Sequence, residues 1–332
     1  MKRAKSAKRQ IILPMEAKIV PALPAGANWL YEPKWDGFRC LALKDGKTVS
    51  LQGKSGKPLE RYFPEVREAI ASIDVKRLAL DGEILIRIDG ELSFDALQMR
   101  LHPAESRIRK LSIETPAIFT AFDALLSETG KDISAEPFER RRKALVSISA
   151  EFKEPQVSLT KQTASLKTAQ GWLDNGFAGT DGVIAKQTDL DYRFGERAVF
   201  KVKRMRTADC VVGGFRYAQG SELVGSLLLG LYNDKGLLDH VGFTSAFAKE
   251  DKEALTTRLE NLIGPPGFTG DAPGGPSRWA TERSAEWQPL KTKLVVEVSF
   301  DHVTGRRFRH GTRLLRWRLD KAPKQCTMEQ IS

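Results

Sequence analysis

Two stretches in the first third of the chain alternate apolar and polar residues in a way that favours paired strands. Residues 38–53 (FRCLALKDGKTVSLQG) alternate around Asp45-Gly46, and residues 78–94 (LALDGEILIRIDGELSF) repeat the pattern around Asp89-Gly90. An Asp-Gly pair flanked by alternating residues is a strong signal for a tight hairpin turn. The sequence therefore predicts two β-hairpins.

Helical spacing appears between and after these hairpins. Apolar residues recur every three or four positions over 63–73, which predicts an amphipathic helix. Similar patterns predict helices over 137–148 and 165–177, the last closed by Gly176 as a C-cap. Further strands are expected over 181–187 and 199–206.

The pattern changes near Arg206, where we place a domain boundary. Short strands separated by Gly-containing turns predict a small β-barrel with one inserted helix at 249–263. The Gly- and Pro-rich stretch 264–276 predicts a surface loop. About five short strands are expected, three of them over 209–218, 225–234 and 240–247. The chain ends with KLVVEVSF at 293–300 and the arginine-dense FRHGTRLLRWRLDK at 308–321.

Composition narrows the class of protein. The 332 residues include 53 Lys and Arg against 42 Asp and Glu, a net charge of +11, and 41% are hydrophobic. The length favours two domains, and no apolar run suits a membrane helix or a secretory signal. Three separated cysteines read as reduced thiols, so we expect a cytoplasmic protein. The excess positive charge is compatible with a nucleic-acid partner or with an ordinary soluble enzyme.

The segment Glu32-Pro33-Lys34-Trp35-Asp36-Gly37-Phe38-Arg39 carries the sharpest chemical signal. A lysine is a nucleophile only when neutral, so nearby cations or burial must lower its pKa. Arg39, Lys201 and Lys203 could supply those cations. The segment could equally be a polar turn that enters a strand.

Companion motifs follow this lysine in a fixed order, and together they carry a resemblance. They are GKSGK at 53–57, LDGEIL with Glu83, AFDAL with Phe122, TDGVIAK with Asp181, FKVK with Lys201 and Lys203, and RWRLDK near the end. Over about residues 14–323 the chain resembles the ATP-dependent DNA ligases of the covalent nucleotidyltransferase superfamily, and among them the short bacterial C-type.

Residues 1–9 (MKRAKSAKR) carry five basic side chains and no acidic one, which predicts a flexible basic arm over 1–12. For the rest of the chain the resemblance implies an α+β fold, with an adenylation domain of antiparallel sheets and flanking helices at 13–205 and an OB-fold barrel at 206–332. It also implies three chemical steps. Lys34 takes AMP from ATP, the AMP passes to the 5′-phosphate at a nick, and the 3′-hydroxyl displaces it. ATP, Mg²⁺ or Mn²⁺, nicked duplex DNA and DNA-repair proteins are the implied ligands and partners of a monomer.

The resemblance also assigns roles to side chains. Lys201 and Lys203, two apart on a strand, would meet the α-phosphate from one face. Phe122 would stack on adenine, and Asp181 and Glu83 would serve the metal, with Glu83 near the ribose. The remaining implied nucleotide contacts are Glu32 at the adenine pocket or ribose, Arg39 and Arg197 at ribose or phosphate, Lys54 at nucleotide or 5′-phosphate, and Arg318, Asp320 and Lys321 at the pyrophosphate.

Two departures and two alternatives stay open. Lys54 stands where most of these ligases have arginine and cannot make the bidentate fork, and Asp181 stands where glutamate is usual. An RNA ligase or a capping-type guanylyltransferase shares the lysine motif and the barrel. A noncatalytic nucleic-acid-binding relative is the alternative outside the enzymes. Structural roles, such as a core Phe122 or a solvated basic strand at 199–206, also remain possible.

Overall fold

The structure, a computed structural model, describes residues 11–247, 251–274 and 286–331. The chain divides into two compact units, the first ending at Arg204 and the second starting at Met205. Both contain helices and sheets, so the predicted α+β class is confirmed. No helix among the described residues is both long and apolar enough to span a membrane.

The first unit holds two sheets and five helices among its described residues. One sheet has the strand order β4-β3-β5-β7-β8, with β6 paired to β5, and the other has the order β1-β10-β9-β2. The strands are β1 Glu16–Ile19, β2 Trp29–Pro33, β3 Phe38–Asp45, β4 Thr48–Gly53, β5 Arg77–Ile88, β6 Glu91–Leu92, β7 Ala117–Ala124, β8 Val157–Leu159, β9 Gly182–Gln187 and β10 Arg197–Lys203. The helices are α1 Pro64–Ala71, α2 Phe94–Arg100, α3 Glu105–Glu114, α4 Phe138–Ser149 and α5 Leu166–Asn175.

Both predicted hairpins are confirmed, and their turn residues explain why. Strands β3 and β4 pair antiparallel around Gly46, whose φ is 57°, and β5 pairs with β6 around Asp89 and Gly90, with φ values of 51° and 86°. Helices α1, α4 and α5 lie where the spacing predicts them. Helix α5 ends at Asn175, and the next residue, Gly176, is the predicted C-cap, with a positive φ of 76° that glycine readily adopts.

The second unit is the predicted barrel. Its strands close a ring in the order β11-β12-β13-β18-β15 and back to β11, with a parallel contact between β13 and β18. This five-stranded closed path is that of an OB-fold. Its elements are β11 Arg206–Tyr217, β12 Val224–Tyr232, β13 Leu238–Ala246, α6 Lys252–Glu260, β14 Gln288–Pro289, β15 Val295–Phe300, β16 Val303–Thr304, β17 Arg307–Phe308 and β18 Thr312–Trp317, followed by short 3₁₀ helices at Pro323–Gln325 and Met328–Ile331.

Three expectations need correction. The sheets are not purely antiparallel, because β1 pairs parallel to β10, β7 to β8 and β13 to β18. The loop at 264–274 lacks helix and strand as predicted, but its Phe268 is buried in the barrel core. Residues 1–10 of the predicted arm lie outside the described residues. Ile12 already packs against the first unit and donates its backbone N–H to Gln52 Oε1 (3.2 Å).

Candidate functional site

Lys34 lies in a cleft of the first unit, directly after strand β2. Its backbone N–H donates to the carbonyl of Gly182 (2.9 Å), and its carbonyl accepts from Asp181 N–H (3.3 Å), so the ladder between β2 and β9 continues past the strand end. This pairing fixes the backbone of Lys34 against the segment that carries Asp181. A Cβ on Gly182 would lie 2.1 Å from the carbonyl oxygen of Val202, so only glycine permits this close approach.

The Lys34 side chain forms an ion pair with Asp181. Nζ lies 2.7 Å from Oδ1 and 2.9 Å from Oδ2 of the carboxylate, and both side chains are mostly buried. The residue predicted to bind metal is therefore the immediate partner of the predicted nucleophile. A carboxylate at this distance can hold the lysine in place and can accept its proton.

A second cation faces Lys34 from strand β10. Lys201 lines the same cleft, while Lys203, two residues further on, pairs in register with Gly182. Burial, followed by the positive charges of Lys34 and Lys203, lowers the pKa of Lys201 below its ordinary value. Lys34, Lys201 and Lys203 therefore influence one another electrostatically.

Arg39 does not join this cluster as a free cation. Its Nε and Nη2 each donate to Asp81 at 2.6 Å in a bidentate pair, and Nη2 also donates to the carbonyl of Met15 (3.1 Å). Tyr192 OH donates to the same Asp81 carboxylate (2.5 Å), and burial raises the pKa of that phenol. The guanidinium lies over the Phe122 ring, 4.4 Å from its centroid. Arg39 thus braces the cleft wall.

Phe122, on strand β7, lies between two cations. Besides Arg39, the Nζ of Lys186 lies 4.9 Å from its ring centroid. Lys186 in turn forms a buried ion pair with Glu32 Oε2 (2.9 Å), and Gln162 Nε2 donates to Glu32 Oε1 (3.1 Å). Phe122, Glu32 and Lys186 all line the cleft, so an aromatic surface and a carboxylate with a fixed orientation meet in one wall.

Glu83 closes another side of the cleft. Its Oε1 accepts from the backbone N–H of Gly37 (3.1 Å), and a Cβ on Gly37 would lie 2.2 Å from the carbonyl oxygen of Ile84. The glycine of the lysine motif is therefore required for this close approach of β3 and β5. Burial raises the pKa of Glu83 to about 7, against the lowering effect of Arg39 and Lys34.

The donor set fits a magnesium site that is completed by a nucleotide. The described residues contain no cluster of three or more His, Cys, Asp or Glu side chains that could hold a metal alone. Mg²⁺ commonly takes one or two carboxylates together with phosphate oxygens and water. Asp181 and Glu83 supply hard oxygen ligands of that kind. Asp181 is hydrogen-bonded to Lys34, and Glu83 lies close enough for the charge of Lys34 to lower its pKa.

Lys54 and Arg197 lie at the cleft rim. Both pair with Glu16, Lys54 Nζ at 3.0 Å and Arg197 Nε at 3.9 Å from Oε2. Glu16 and Arg197 are brought together by the parallel register of β1 and β10. Both cations are exposed, so an anion entering the cleft can compete with Glu16 for them.

The last three predicted contacts belong to the second unit and form their own network. Arg318 Nη1 donates to both oxygens of Asp209 (2.8 and 3.0 Å), and its Nε and Nη2 donate to Asp320 (2.9 and 2.8 Å). Lys321 Nζ donates to Asp209 Oδ2 (2.7 Å). Asp209, on β11, therefore holds both cations, and hydrogen bonding to Arg318 lowers the pKa of Asp320 to about 2.

Sequence reasoning did not single out the partners that hold these side chains. Asp81 and Lys186 lie inside the quoted motifs LDGEIL and TDGVIAK, and each could have been found by asking what balances a buried charge. Glu16, Tyr192 and Asp209 lie far along the chain from their partners, and no local signal identifies them.

Comparisons with known proteins identify the family of this chain. A family model described as "ATP dependent DNA ligase domain" matches residues 14–203, and one described as "ATP dependent DNA ligase C terminal region" matches residues 220–321. DNA ligase C2 of Mycolicibacterium smegmatis is 43% identical over 96% of this chain and 94% of its own length. DNA ligase C of Mycobacterium tuberculosis is 42% identical over 96% and 93%.

Among solved structures, the ligase domain of LigD from M. tuberculosis superposes with a TM-score of 0.52. The two share 26% sequence identity, and the match covers 95% of this chain and 98% of that one. The family matches span most of both units, and the relatives align along nearly the whole chain. The chain therefore belongs to the ATP-dependent DNA ligases, as a short bacterial member that uses ATP and binds DNA.

Proposed function

We propose that this enzyme seals nicks between a 5′-phosphate and a 3′-hydroxyl in duplex DNA through an AMP group carried on Lys34. The observation that carries the proposal is the position of Lys34 Nζ in the cleft, 2.7 Å from the Asp181 carboxylate and on the side where Lys201 also enters. A nucleophile, a proton acceptor and a cation for phosphate oxygens are thus in one place.

In the first step, the Lys34 ammonium gives a proton to Asp181 or to solvent, and its free amine attacks the α-phosphorus of ATP. An N–P bond forms, the bond from the α-phosphorus to the bridging oxygen breaks, and pyrophosphate leaves with the electron pair. The nitrogen then releases its second proton to solvent, which leaves AMP on Lys34 as a phosphoramidate. Lys201 and Lys203 stabilise the charge that develops on the nonbridging oxygens. The lowered pKa of Lys201 does not remove this role, because an approaching phosphate favours its charged form.

The cleft wall positions the nucleotide in this scheme. Phe122 stacks on adenine, and Glu32, fixed by Lys186 and Gln162, accepts hydrogen bonds from the base or the ribose. Arg39 holds the ring of Phe122 in place and remains paired with Asp81, so we assign it a positioning role at the ribose side. Lys54 and Arg197 exchange Glu16 for phosphate oxygens.

Asp181 and Glu83 would hold Mg²⁺ or Mn²⁺ once the nucleotide phosphates complete the ligand set. The ion would add positive charge at the phosphoryl group during transfer. Once the proton has passed from Lys34 to solvent, directly or through Asp181, the Asp181 carboxylate would be free for this purpose.

Arg318, Asp320 and Lys321 remain our assignment for the pyrophosphate in the first step. In the later steps the AMP passes to the 5′-phosphate, and the 3′-hydroxyl oxygen attacks that phosphorus and displaces AMP. We further propose that the enzyme is a cytoplasmic monomer and that it acts in DNA repair together with other repair proteins.

The proposal is tested by mass spectrometry and by nick sealing. Purified protein incubated with ATP and Mg²⁺ should gain the mass of one AMP on Lys34, and Lys34→Ala should lose both the adduct and the sealing of nicked DNA. Lys47→Ala, in the exposed β3–β4 turn, is the matched control and should keep both.

The alternatives give different outcomes in the same assay. An adduct formed from GTP, or sealing of nicked RNA but not of nicked DNA, would replace the proposal with a capping-type or RNA-ligase activity. If no adduct forms and Lys34→Ala leaves DNA binding unchanged, the noncatalytic alternative stands.

A further inference from the structure

A short segment of the first unit, residues 160–163 (TKQT), follows strand β8 and is fixed at both of its ends. The backbone N–H of Thr160 donates to a carbonyl of strand β7 (2.9 Å). Thr163 and Tyr31 of strand β2 exchange two backbone hydrogen bonds, at 2.8 and 3.0 Å. The backbone of Gln162, which lies between these two anchors, is therefore held beside strand β2.

Gln162 holds one of the two carboxylate oxygens of Glu32. Its Nε2 donates to Oε1 (3.1 Å), while Nζ of Lys186 pairs with Oε2 (2.9 Å). Nη1 of Arg142, on helix α4, is a further cation 3.7 Å from Oε1. With two cations beside it, Glu32 is an ionised carboxylate, which only accepts hydrogen bonds. Because both oxygens are anchored, the carboxylate is held in one orientation.

Glu32 lies beside the aromatic ring that we assign to adenine stacking. Its partner Lys186 has Nζ 4.9 Å from the centroid of the Phe122 ring, and the same Nζ donates to the carbonyl of Phe122 (3.1 Å). Glu32, Lys186 and Phe122 line the cleft, whereas Gln162 and Arg142 lie behind Glu32 and do not line it. The carboxylate can therefore meet the edge of a stacked base, and Gln162 can act on that base only through Glu32.

The orientation of this carboxylate matters because the two purine bases differ at position 6. Adenine has an amine there, which donates hydrogen bonds, whereas guanine has a carbonyl oxygen, which only accepts them. A carboxylate that is fixed at this edge attracts the amine and repels the carbonyl oxygen. A carboxylate held by Lys186 alone could rotate away, and the Lys186 ammonium could then donate to the guanine oxygen. The second anchor, Gln162, prevents that rearrangement.

We infer that Gln162 is a positioning residue that sets the choice of purine: it fixes Glu32 so that the cleft accepts adenine nucleotides and rejects guanine nucleotides. The inference rests on the proposed function for the place of the base beside Phe122, and it deepens that proposal by naming a residue outside the cleft that determines nucleotide selectivity. It concerns binding, so it does not depend on the chemistry at Lys34.

The test measures, by isothermal titration calorimetry, the affinity of the full-length protein for the α,β-methylene analogues of ATP and GTP, which cannot transfer their nucleotidyl group. The unmodified protein should prefer the ATP analogue. Gln162→Met keeps the length of the side chain but removes the donor, and it should lower the ratio of the two affinities about tenfold. Gln170→Met is the matched control, because Gln170 donates to the carboxylate of Asp174 (2.7 Å) on the exposed surface of α5. It should leave the ratio unchanged.

Two further variants show whether Gln162 acts through Glu32. Glu32→Gln introduces an amide that can donate to the guanine oxygen, so it should lose most of the preference by itself. Adding Gln162→Met to Glu32→Gln should then change the ratio by less than about twofold. Gln162→Lys restores a donor for Oε1 and should keep the preference for the ATP analogue.

Several results would overturn the inference. One is equal affinity of the unmodified protein for both analogues, and another is an unchanged ratio in Gln162→Met. A lowered melting temperature with an equal loss of both affinities would show a merely structural role. Independent effects of Gln162→Met and Glu32→Gln, or an equal loss of selectivity in Gln162→Lys, would exclude action through the hydrogen bond to Glu32.

The outcome for Gln162 is separable from the outcome for nick sealing. An unchanged ratio in Gln162→Met together with an AMP adduct on Lys34 would overturn the positioning role alone. The expected ratios without an adduct would overturn only the nick-sealing proposal.

Discussion

The two units treat buried charge differently. The first unit buries ions in pairs: Arg141 and Asp123 are at most 1% exposed, and Lys186 with Glu32 at most 5%. The second unit leaves its charge networks partly exposed, as in Arg318 with Asp209. His240, one of its buried titratable groups, is instead kept neutral by burial and by the charges of Arg307 and Arg216, which lower its pKa.

This difference separates a preformed site from an adaptable one. A buried ion pair fixes the orientation of both partners, because either one alone would be an uncompensated charge in a poorly solvated place. A partly exposed pair contributes little to stability and can exchange partners. The wall of the nucleotide cleft that contains Glu32 and Lys186 should therefore be rigid. The cations of the barrel, like Lys34, whose ion pair is exposed to a similar extent, are free to exchange carboxylates for phosphates.

The largest effect should follow from breaking the Arg141–Asp123 pair. Arg141 Nε and Nη2 donate to Asp123 at 2.9 and 3.1 Å, and its Nη1 donates to backbone carbonyls. Asp123→Ala leaves a buried guanidinium without a counterion and should cost about 3–5 kcal/mol of unfolding free energy. Urea denaturation of the full-length protein, followed by tryptophan fluorescence, measures it.

The same helix offers the matched control. Glu139 and Lys143 on α4 form an exposed pair one turn apart at 2.7 Å. Glu139→Ala should cost far less unfolding free energy than Asp123→Ala, because solvent screens an exposed ion pair. Equal losses in Asp123→Ala and Glu139→Ala would mean that burial does not distinguish the two kinds of pair.

The next effect concerns the neutral histidine of the barrel. The folded pKa of His240 is about 3, below the ordinary 6.5, because of burial and then the charges of Arg307 and Arg216. Below pH 6.5 the unfolded chain binds a proton that the native state does not. This histidine therefore destabilises the fold progressively as pH falls from 6.5 towards 3, by up to about 1.4 kcal/mol per pH unit.

In His240→Gln the unfolded chain has no imidazole to protonate at this position. The loss of unfolding free energy between pH 7 and pH 5 should therefore be smaller by about 2 kcal/mol than in the unmodified protein. Unfolding free energies of the two proteins at both pH values give the difference, in which the other titrating groups cancel. The same pH dependence in both proteins would show that His240 is protonated in the native state.

Local sequence patterns were sufficient for the elements that have a periodic, half-buried surface. The two hairpins and α1 follow from alternation, Asp-Gly turns and helical spacing. Strand β7, in contrast, is almost wholly buried, so AIFTAFDA shows no alternation and the pattern did not predict it as a strand. Parallel pairing, as between β1 and β10, joins segments that lie far apart in the chain and leaves no local signal.

The same distinction between local patterns and tertiary contacts applies to the candidate site. Lys34, Glu83, Asp181 and Lys201 could be named because their motifs resemble a family. The resemblance did not reveal that Asp181 pairs with Lys34 or that Asp81 holds Arg39, since these contacts depend on the tertiary arrangement. Motifs identify the chemical groups, and only the packing shows which of them are already paired.

The smallest predicted effect tests whether the partly exposed network of Arg318, Lys321 and Asp209 contributes to the adenylylation step. Asp209 accepts hydrogen bonds from both Arg318 and Lys321, so it acts as a positioning residue for the cations that we assign to pyrophosphate. Asp209→Asn keeps the shape but removes the shared negative charge. Adenylylation of Lys34 should slow about tenfold, equivalent to about 1.4 kcal/mol, because the cations lose their common anchor.

Step selectivity distinguishes this role from a structural one. Sealing of a nick that already carries AMP needs no pyrophosphate contact, so Asp209→Asn should seal it at nearly the normal rate. Arg318→Ala provides the reference for loss of the contact itself. If it slows adenylylation and Asp209→Asn does not, Asp209 has no positioning role. If Asp209→Asn slows both steps equally, the carboxylate stabilises the barrel as a whole. The partly exposed network would then have a structural role, as the buried ion pairs of the first unit do.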